Sequence, residues 1–320
     1  MSMNLLALLL LSCAAQDTIK TRSAALKFED SEPALKSHES PAAEFQFTLA
    51  PGEERKKHKR FRVEFPSAIR TNLEANNSVP GSVWVPVQDQ AAPGLVLVHF
   101  LGGNHSILES VAVSLARQGI ASILFELPFY GPRNGGTGRK AILEGASPDD
   151  LVKFMRQAIS DVRRARDVLA AVPGVDSGRI GLLGVSLGAL IGAATAGIDP
   201  TFHRVILVVG GGDLARILFH GSDETRPIKE KFEKEGFDQA RAREHLKEVD
   251  PLTFASRLPA ERCLLIHMKS DEVIPRECAD GLADRIGKPR RIWHEGTHKW
   301  VGLYVLSIIE ETRGFVLGDR

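Results

Sequence analysis

Arg179-Ile180-Gly181-Leu182-Leu183-Gly184-Val185-Ser186-Leu187-Gly188-Ala189-Leu190 decides how this chain folds. A short apolar run of strand type, Arg179 to Leu183, enters the pentapeptide Gly184-Val185-Ser186-Leu187-Gly188. A helix-compatible run of small residues, Ala189 to Gly197, leaves it. Strand, G-x-S-x-G, helix is the pattern of a nucleophile elbow, a sharp turn that holds a serine in a strained backbone conformation. Glycines flank the serine because neighbouring side chains would collide in such a turn. Small residues on the following helix let it pack close under the sheet. The serine Oγ is then expected above the strand ends, with the Leu187 amide at a helix N-terminus facing a developing oxyanion. A Gly-rich turn of purely structural use is the competing reading of the pentapeptide alone.

A serine is a weak nucleophile at neutral pH and needs a base within hydrogen-bond reach. Histidine suits that role because its ordinary pKa lies near neutrality. In a fold built on such an elbow the order is nucleophile, acid, histidine. Downstream, Arg262 to Met268 reads as a buried strand ending in Lys269-Ser270-Asp271-Glu272-Val273-Ile274-Pro275. Arg290 to His294 reads as another strand, followed by Glu295-Gly296-Thr297-His298 and an apolar helix from about Val301 to Phe315. Ser186, Asp271 and His298 therefore stand in order, each on a loop after an expected strand, where open α/β sheets gather reacting groups. In that assignment His298 takes and returns the Ser186 proton, and Asp271 fixes the imidazole tautomer. Asp213, which also ends an apolar strand, is the rival acid, and His294 the rival base. A second oxyanion amide is expected after the strand Leu95 to His99, where Phe100-Leu101-Gly102-Gly103 follows. Leu101 is the candidate donor, and His99 reads as a loop brace.

These residues resemble the α/β-hydrolase superfamily over roughly Ser82 to Phe315. The resemblance rests on His99-Phe-Leu-Gly-Gly103, the elbow at Ser186, Asp271 before Val273-Ile274-Pro275, and Gly296-Thr297-His298. Phe100 stands where many members carry a glycine. Leu127-Pro-Phe-Tyr-Gly-Pro-Arg133 is similar to a loop of esterase-like and dienelactone-hydrolase-like members. The resemblance implies a mostly parallel central sheet with helices on both faces. It implies a serine hydrolase working through an acyl-enzyme on a small-molecule acyl substrate, without a cofactor. A carboxylic ester is the first reading. A peptidase or amidase on the same fold, or a catalytically silent binding module, are the alternatives.

Composition is compatible with one large α/β domain. The chain has 320 residues, 43% hydrophobic and 25% charged, with a formal net charge of +1, a balance that gives no reason to expect nucleic-acid binding. Aromatics make up 6%, mostly Phe, so broad stacking platforms for sugars or bases are not expected. No clustered Cys/His pattern of zinc type and no phosphate loop with lysine is present. Cys263 and Cys278 are free to pair or to stay reduced.

Leu5 to Leu11 is too short to span a bilayer but suits a signal-peptide core, although Met1 to Asn4 carries no Lys or Arg. It runs into Leu10-Leu11-Ser12-Cys13-Ala14, which resembles a bacterial lipobox. The expectation is a lipoprotein-type signal peptide over 1–12, lipid on Cys13, a flexible tether over 13–44, and the hydrolase domain over 45–320. The protein would then be exported and membrane-anchored. An unprocessed apolar start, in the cytoplasm, is the alternative.

Within the domain, Phe45 to Leu49 and Lys59 to Phe65 alternate as half-buried strands, with Pro51-Gly52-Glu53-Glu54 as the turn between them. Ser147 is expected to cap a helix reaching about Ala171. A charged helical insertion at about 214–250 is expected to form a small cap, with Ile217, Phe219, Phe232 and Phe237 on its underside. Gly131 to Lys140 is expected as a mobile rim in which Arg133 or Arg139 is a surface charge or meets a substrate carboxylate.

Overall fold

The computed structural model describes residues 17–29, 32–102, 105–136 and 146–318. The strands are β1 (Asp17–Ser23), β2 (Ala43–Arg55), β3 (His58–Pro66), β4 (Ser78–Pro86), β5 (Ala92–Val98), β6 (Ala121–Phe125), β7 (Val175–Val185), β8 (Val205–Val208), β9 (Cys263–Met268) and β10 (Arg290–His294). They form one sheet in the order β1-β2-β3-β4-β6-β5-β7-β8-β9-β10. From β6 to β10 all neighbours are parallel. β1 to β4 add antiparallel pairs at one edge. The central strands β5, β8 and β9 are buried at every residue, which is why they read as unbroken apolar runs rather than alternating ones. β2 alternates instead, turning Phe45, Phe47 and Leu49 inward.

The helices are α1 (Pro33–Lys36), α2 (Ser106–Arg117), α3 (Pro148–Ala170), α4 (Leu187–Ile198), α5 (Leu214–His220), α6 (Arg226–Lys234), α7 (Gln239–Leu246), α8 (Pro251–Phe254), α9 (Arg276–Ile286) and α10 (Val305–Leu317). α2 and α10 pack on one face of the sheet with Leu95, Leu97, Leu183 and Val208. α3, α4 and α9 cover the other with Val96, Val98, Leu182 and Leu207. Alternate residues of the same strands thus feed two apolar layers, the expected doubly wound arrangement. α3 begins with a reciprocal cap: Asp150 N–H donates to Ser147 Oγ at 3.1 Å, and Ser147 N–H to Asp150 Oδ2 at 3.3 Å.

Four expectations need correction. The stretch expected as a tether is part of the fold wherever it is described. β1 pairs with β2 along its whole length, Leu35 is 2% exposed, and His38 Nε2–H donates to Glu248 O at 2.6 Å. β1 is held by ladder hydrogen bonds more than by apolar side chains, so its polar composition disguised it. The turn expected at Pro51 to Glu54 is a bulge inside β2, and the reversal falls at Lys56 and Lys57. The last helix starts at Val305 rather than Val301, because a 3-10 segment occupies His298–Tyr304. Arg133 is neither a surface charge nor free for a substrate. It is fully buried and pairs with Asp161 Oδ2 at 2.8 Å, while its guanidinium also donates to the Asn76 and Glu126 carbonyls. Arg139, the signal segment and Cys13 lie outside the described residues. Cys263 and Cys278 are both buried and unpaired, and burial pushes each thiol up to about 12.

Candidate active site

β5 lies between β6 and β7, so the connections leave in opposite directions there and a crevice opens beyond the strand ends. Ser186 sits at that crevice, at the end of β7, with φ 54° and ψ −116°. A side chain in such a sparsely populated conformation persists only where the surroundings over-determine it. Here Ser186 N–H is tied to Val208 O at 2.9 Å, and the two glycines are sterically required. A Cβ on Gly184 would lie 2.1 Å from Gly188 O, and one on Gly188 would lie 2.1 Å from Val98 O. α4 starts at Leu187; the N–H groups of Ala189 and Leu190 donate to Ser186 O at 2.8 and 3.1 Å, which leaves those of Leu187 and Gly188 at the open, serine end of the helix.

His298 and Asp271 arrive from the loops after β10 and β9. His298 Nε2 lies 2.9 Å from Ser186 Oγ. His298 Nδ1 lies 2.8 Å from Asp271 Oδ2 and 2.9 Å from Oδ1. A carboxylate can only accept, so Nδ1 carries the proton and Nε2 is left to accept the Ser186 O–H. Asp271 Oδ1 is fixed in turn by the N–H groups of Val273 (2.9 Å) and Ile274 (2.8 Å). The three residues singled out in sequence are therefore brought together in one hydrogen-bonded chain. The rivals are not in it. Asp213 caps α5 through Arg216 N–H and pairs with Arg243 at 2.8 Å. His294 lies in β10, its ring stacked on Tyr304 at 4.2 Å between centroids.

Glu272 was not singled out in sequence. Its Oε2 accepts the His298 backbone N–H at 2.9 Å, at the start of the 3-10 segment. Its place next to Asp271 was the only available signal.

The loop after β5 is held by His99, which is fully buried. Leu127 N–H donates to His99 Nε2 at 3.0 Å, so Nδ1 bears the hydrogen and donates it to Phe100 O at 2.9 Å. Burial lowers this imidazole to about 4, which keeps it neutral. The Phe100–Leu101 peptide is trans, so fixing its carbonyl toward His99 turns the Leu101 N–H the opposite way. Phe100 and Leu101 line the same cavity as Ser186 and Leu187. His99, His105 and Glu126 approach within 4.8 Å, a spacing compatible with a cation. Both ring nitrogens of His99 are already engaged, however, and His105 Nε2 faces Glu126 Oε2 at 3.3 Å. The trio reads as a brace between the two loops.

Beside Ser186 opens a cavity of about 420 Å3. α5 and the start of α6, within the insertion, form part of its wall through Leu214, Ile217, Leu218 and Ile228. Of the four side chains expected on the underside, Ile217 alone lines the cavity. Phe219, Phe232 and Phe237 pack inside the insertion and against the core, with Phe232 and Phe237 edge to face at 5.5 Å.

An elbow serine, an aspartate and a histidine, in that chain order on a doubly wound sheet, define an α/β-hydrolase architecture. The solved structures agree: this chain has the α/β-hydrolase fold. An acetyl xylan esterase from Paenibacillus sp. R4 superposes with a TM-score of 0.66 at 19% identity, over 88% of this chain and 92% of that one. Acetyl xylan esterase 1 from Thermoanaerobacterium sp. JW/SL YS485 gives 0.63 at 16%, over 87% and 91%. A 2,6-dihydroxy-pseudo-oxynicotine hydrolase gives 0.56 at 18%, over 76% and 66%. No family model matches the sequence. An uncharacterized protein of Mycobacterium tuberculosis, in strains H37Rv and CDC 1551, is 26% identical over 186 residues. That match spans 56% of this chain and 42% of the relative's length.

Proposed function

We propose that this protein is a serine hydrolase that cleaves a carboxylic ester through an acyl-enzyme. The observation that carries the reading is the unbroken chain Ser186 Oγ, His298 Nε2, His298 Nδ1, Asp271, with each link at 2.8–2.9 Å. Ser186 Oγ attacks the ester carbonyl while its proton passes to His298 Nε2. Asp271 stabilises the imidazolium. The amides of Leu187 and Leu101 receive the oxyanion. Collapse expels the alcohol, which takes the proton from His298 and leaves an acyl group on Ser186. Water then attacks this acyl group, giving its proton to Nε2. The second collapse releases the carboxylic acid and restores the Ser186 O–H. Every step uses side chains of this protein and water, and no cofactor enters. An ester as substrate is favoured by neighbours described as esterases.

Export remains part of the reading. The apolar run ending at Cys13 supports a lipid-anchored form, with only Ala14-Ala15-Gln16 between that cysteine and β1. Among the described residues no helix is long and apolar enough to cross a membrane.

The test is labelling by a fluorophosphonate probe. Wild type should label, and Ser186→Ala and His298→Ala should not. Absence of labelling in folded wild type would refute an activated serine.

A further inference from the structure

Resting on the hydrolase reading, we infer that the cavity beside Ser186 is a binding site for a medium-length aliphatic acyl chain, so that the preferred substrate is an ester of a fatty acid rather than an acetyl ester. The wall carries this inference. Among the described residues that line the cavity, all but Ser186, His298, Glu224, Thr225, Lys299 and Gly302 are hydrophobic. Two of these polar exceptions satisfy each other, since Lys299 Nζ pairs with Glu224 Oε1 at 3.1 Å. A hydroxyl-rich or charged group placed inside would lose its water and find almost no partners, which is costly. An alkyl chain loses nothing.

The cavity is also larger than an acetyl group needs. At roughly 30 Å3 for each water-sized group, 420 Å3 takes on the order of a dozen carbon atoms. It draws on both apolar layers of the fold. Leu108, Val111 and Ile308 come from the layer under α2 and α10, and Met155, Leu190 and Ile217 from the opposite layer. Ser186 stands between them at the strand ends. An acyl carbon held at the serine can therefore send its chain past the edge of the sheet into either layer.

The apolar wall continues outward. Ile107 lines the cavity and is 41% exposed. Val301 and Gly302 line it, while their neighbours Trp300 and Leu303 are 53% and 77% exposed. A chain entering from solvent meets apolar side chains throughout.

Two measurements test this. The first is kcat/KM of wild type against p-nitrophenyl acetate, butyrate, octanoate, decanoate and palmitate. The second is calorimetric binding of the matching methyl esters to Ser186→Ala. Each added methylene is expected to improve both by about threefold to fourfold until the cavity is filled. The optimum should fall near octanoate or decanoate, and Ile217→Trp should move it to shorter chains. Hydrolysis that is fastest with acetate, with binding insensitive to length, would overturn the acyl site and leave the hydrolase reading intact. Length-dependent binding without hydrolysis or fluorophosphonate labelling would uphold the acyl site and overturn the hydrolase reading.

Discussion

The Glu272 carboxylate accepts the backbone N–H of His298 at 2.9 Å, while its neighbour Asp271 accepts that residue's ring N–H at 2.8 Å. One dipeptide thus holds His298 by two handles. The ring contact sets the tautomer, and the backbone contact sets where the 3-10 segment begins and so where the ring hangs. The link to Ser186 Oγ depends on both.

Removing the backbone handle should misplace the base without changing its chemistry. Glu272→Ala is expected to lower kcat by about tenfold, near 1.4 kcal/mol of barrier, with little change in KM. Glu272→Gln keeps an acceptor oxygen and should recover most of the loss. Steady-state kinetics on the three proteins, with thermal melts as a folding control, check this. Equal kcat in Glu272→Ala and wild type would remove Glu272 from the positioning scheme.

The two acids weighed in the sequence should separate cleanly. Asp271→Asn leaves the side chain's shape but can no longer enforce the tautomer, and a loss of about 10^4 in kcat is expected. Asp213→Asn retains a helix-capping oxygen and loses only an ion pair with Arg243 that is half exposed on the arginine side. It should keep kcat within about twofold and cost under about 1 kcal/mol of stability. A large kcat loss in Asp213→Asn would reassign the acid.

Acid stability should report the buried histidines. His267 is 3% exposed, its Nε2 has no hydrogen-bond partner among the described residues, and burial lowers its pKa from 6.5 to about 4. The unfolded chain then binds a proton below its ordinary value that the native state refuses until about pH 4. Stability is full above pH 6.5, falls as pH drops through that window, and levels off below it. The contribution is about 3 kcal/mol for this group, and His99 adds a slope of the same sign. Urea unfolding at a series of pH values should show a shallower slope for His267→Phe. Parallel slopes would mean that His267 takes up its proton in the native state.

The Arg133–Asp161 pair is fully buried, and Asp161 also accepts from Ser67 Oγ and Ala68 N–H. Asp161→Asn would strand a buried guanidinium, at a cost of about 3–5 kcal/mol in unfolding free energy. Because the pair braces the loop after β6 rather than contacting the cavity, residual folded protein should keep its KM. A denaturation midpoint unchanged from wild type would show that water reaches Arg133.

The sequence by itself determined the sheet's parallel half, the elbow and the order of its partners. These are local patterns: apolar runs too short for helices, glycines at positions where a Cβ has no room, and polar loops after strands. It also marked Ser186, Asp271 and His298, because a serine nucleophile demands a base and an orienting acid in fixed roles. Tertiary structure decided what depends on partners distant in the chain. Asp17–Ser23 is a strand only because β2 supplies its ladder from farther along the chain, Ser23 being opposite Ala43 and Asp17 opposite Leu49. Arg133 is interior only because Asp161 waits on α3. Asp213 and Asp271 both follow buried strands, and the β9–α9 loop brings just one of them to the imidazole. The cavity's size and apolar wall belong to no segment. They arise where two layers of side chains, correctly read as core, stop short of meeting beside Ser186.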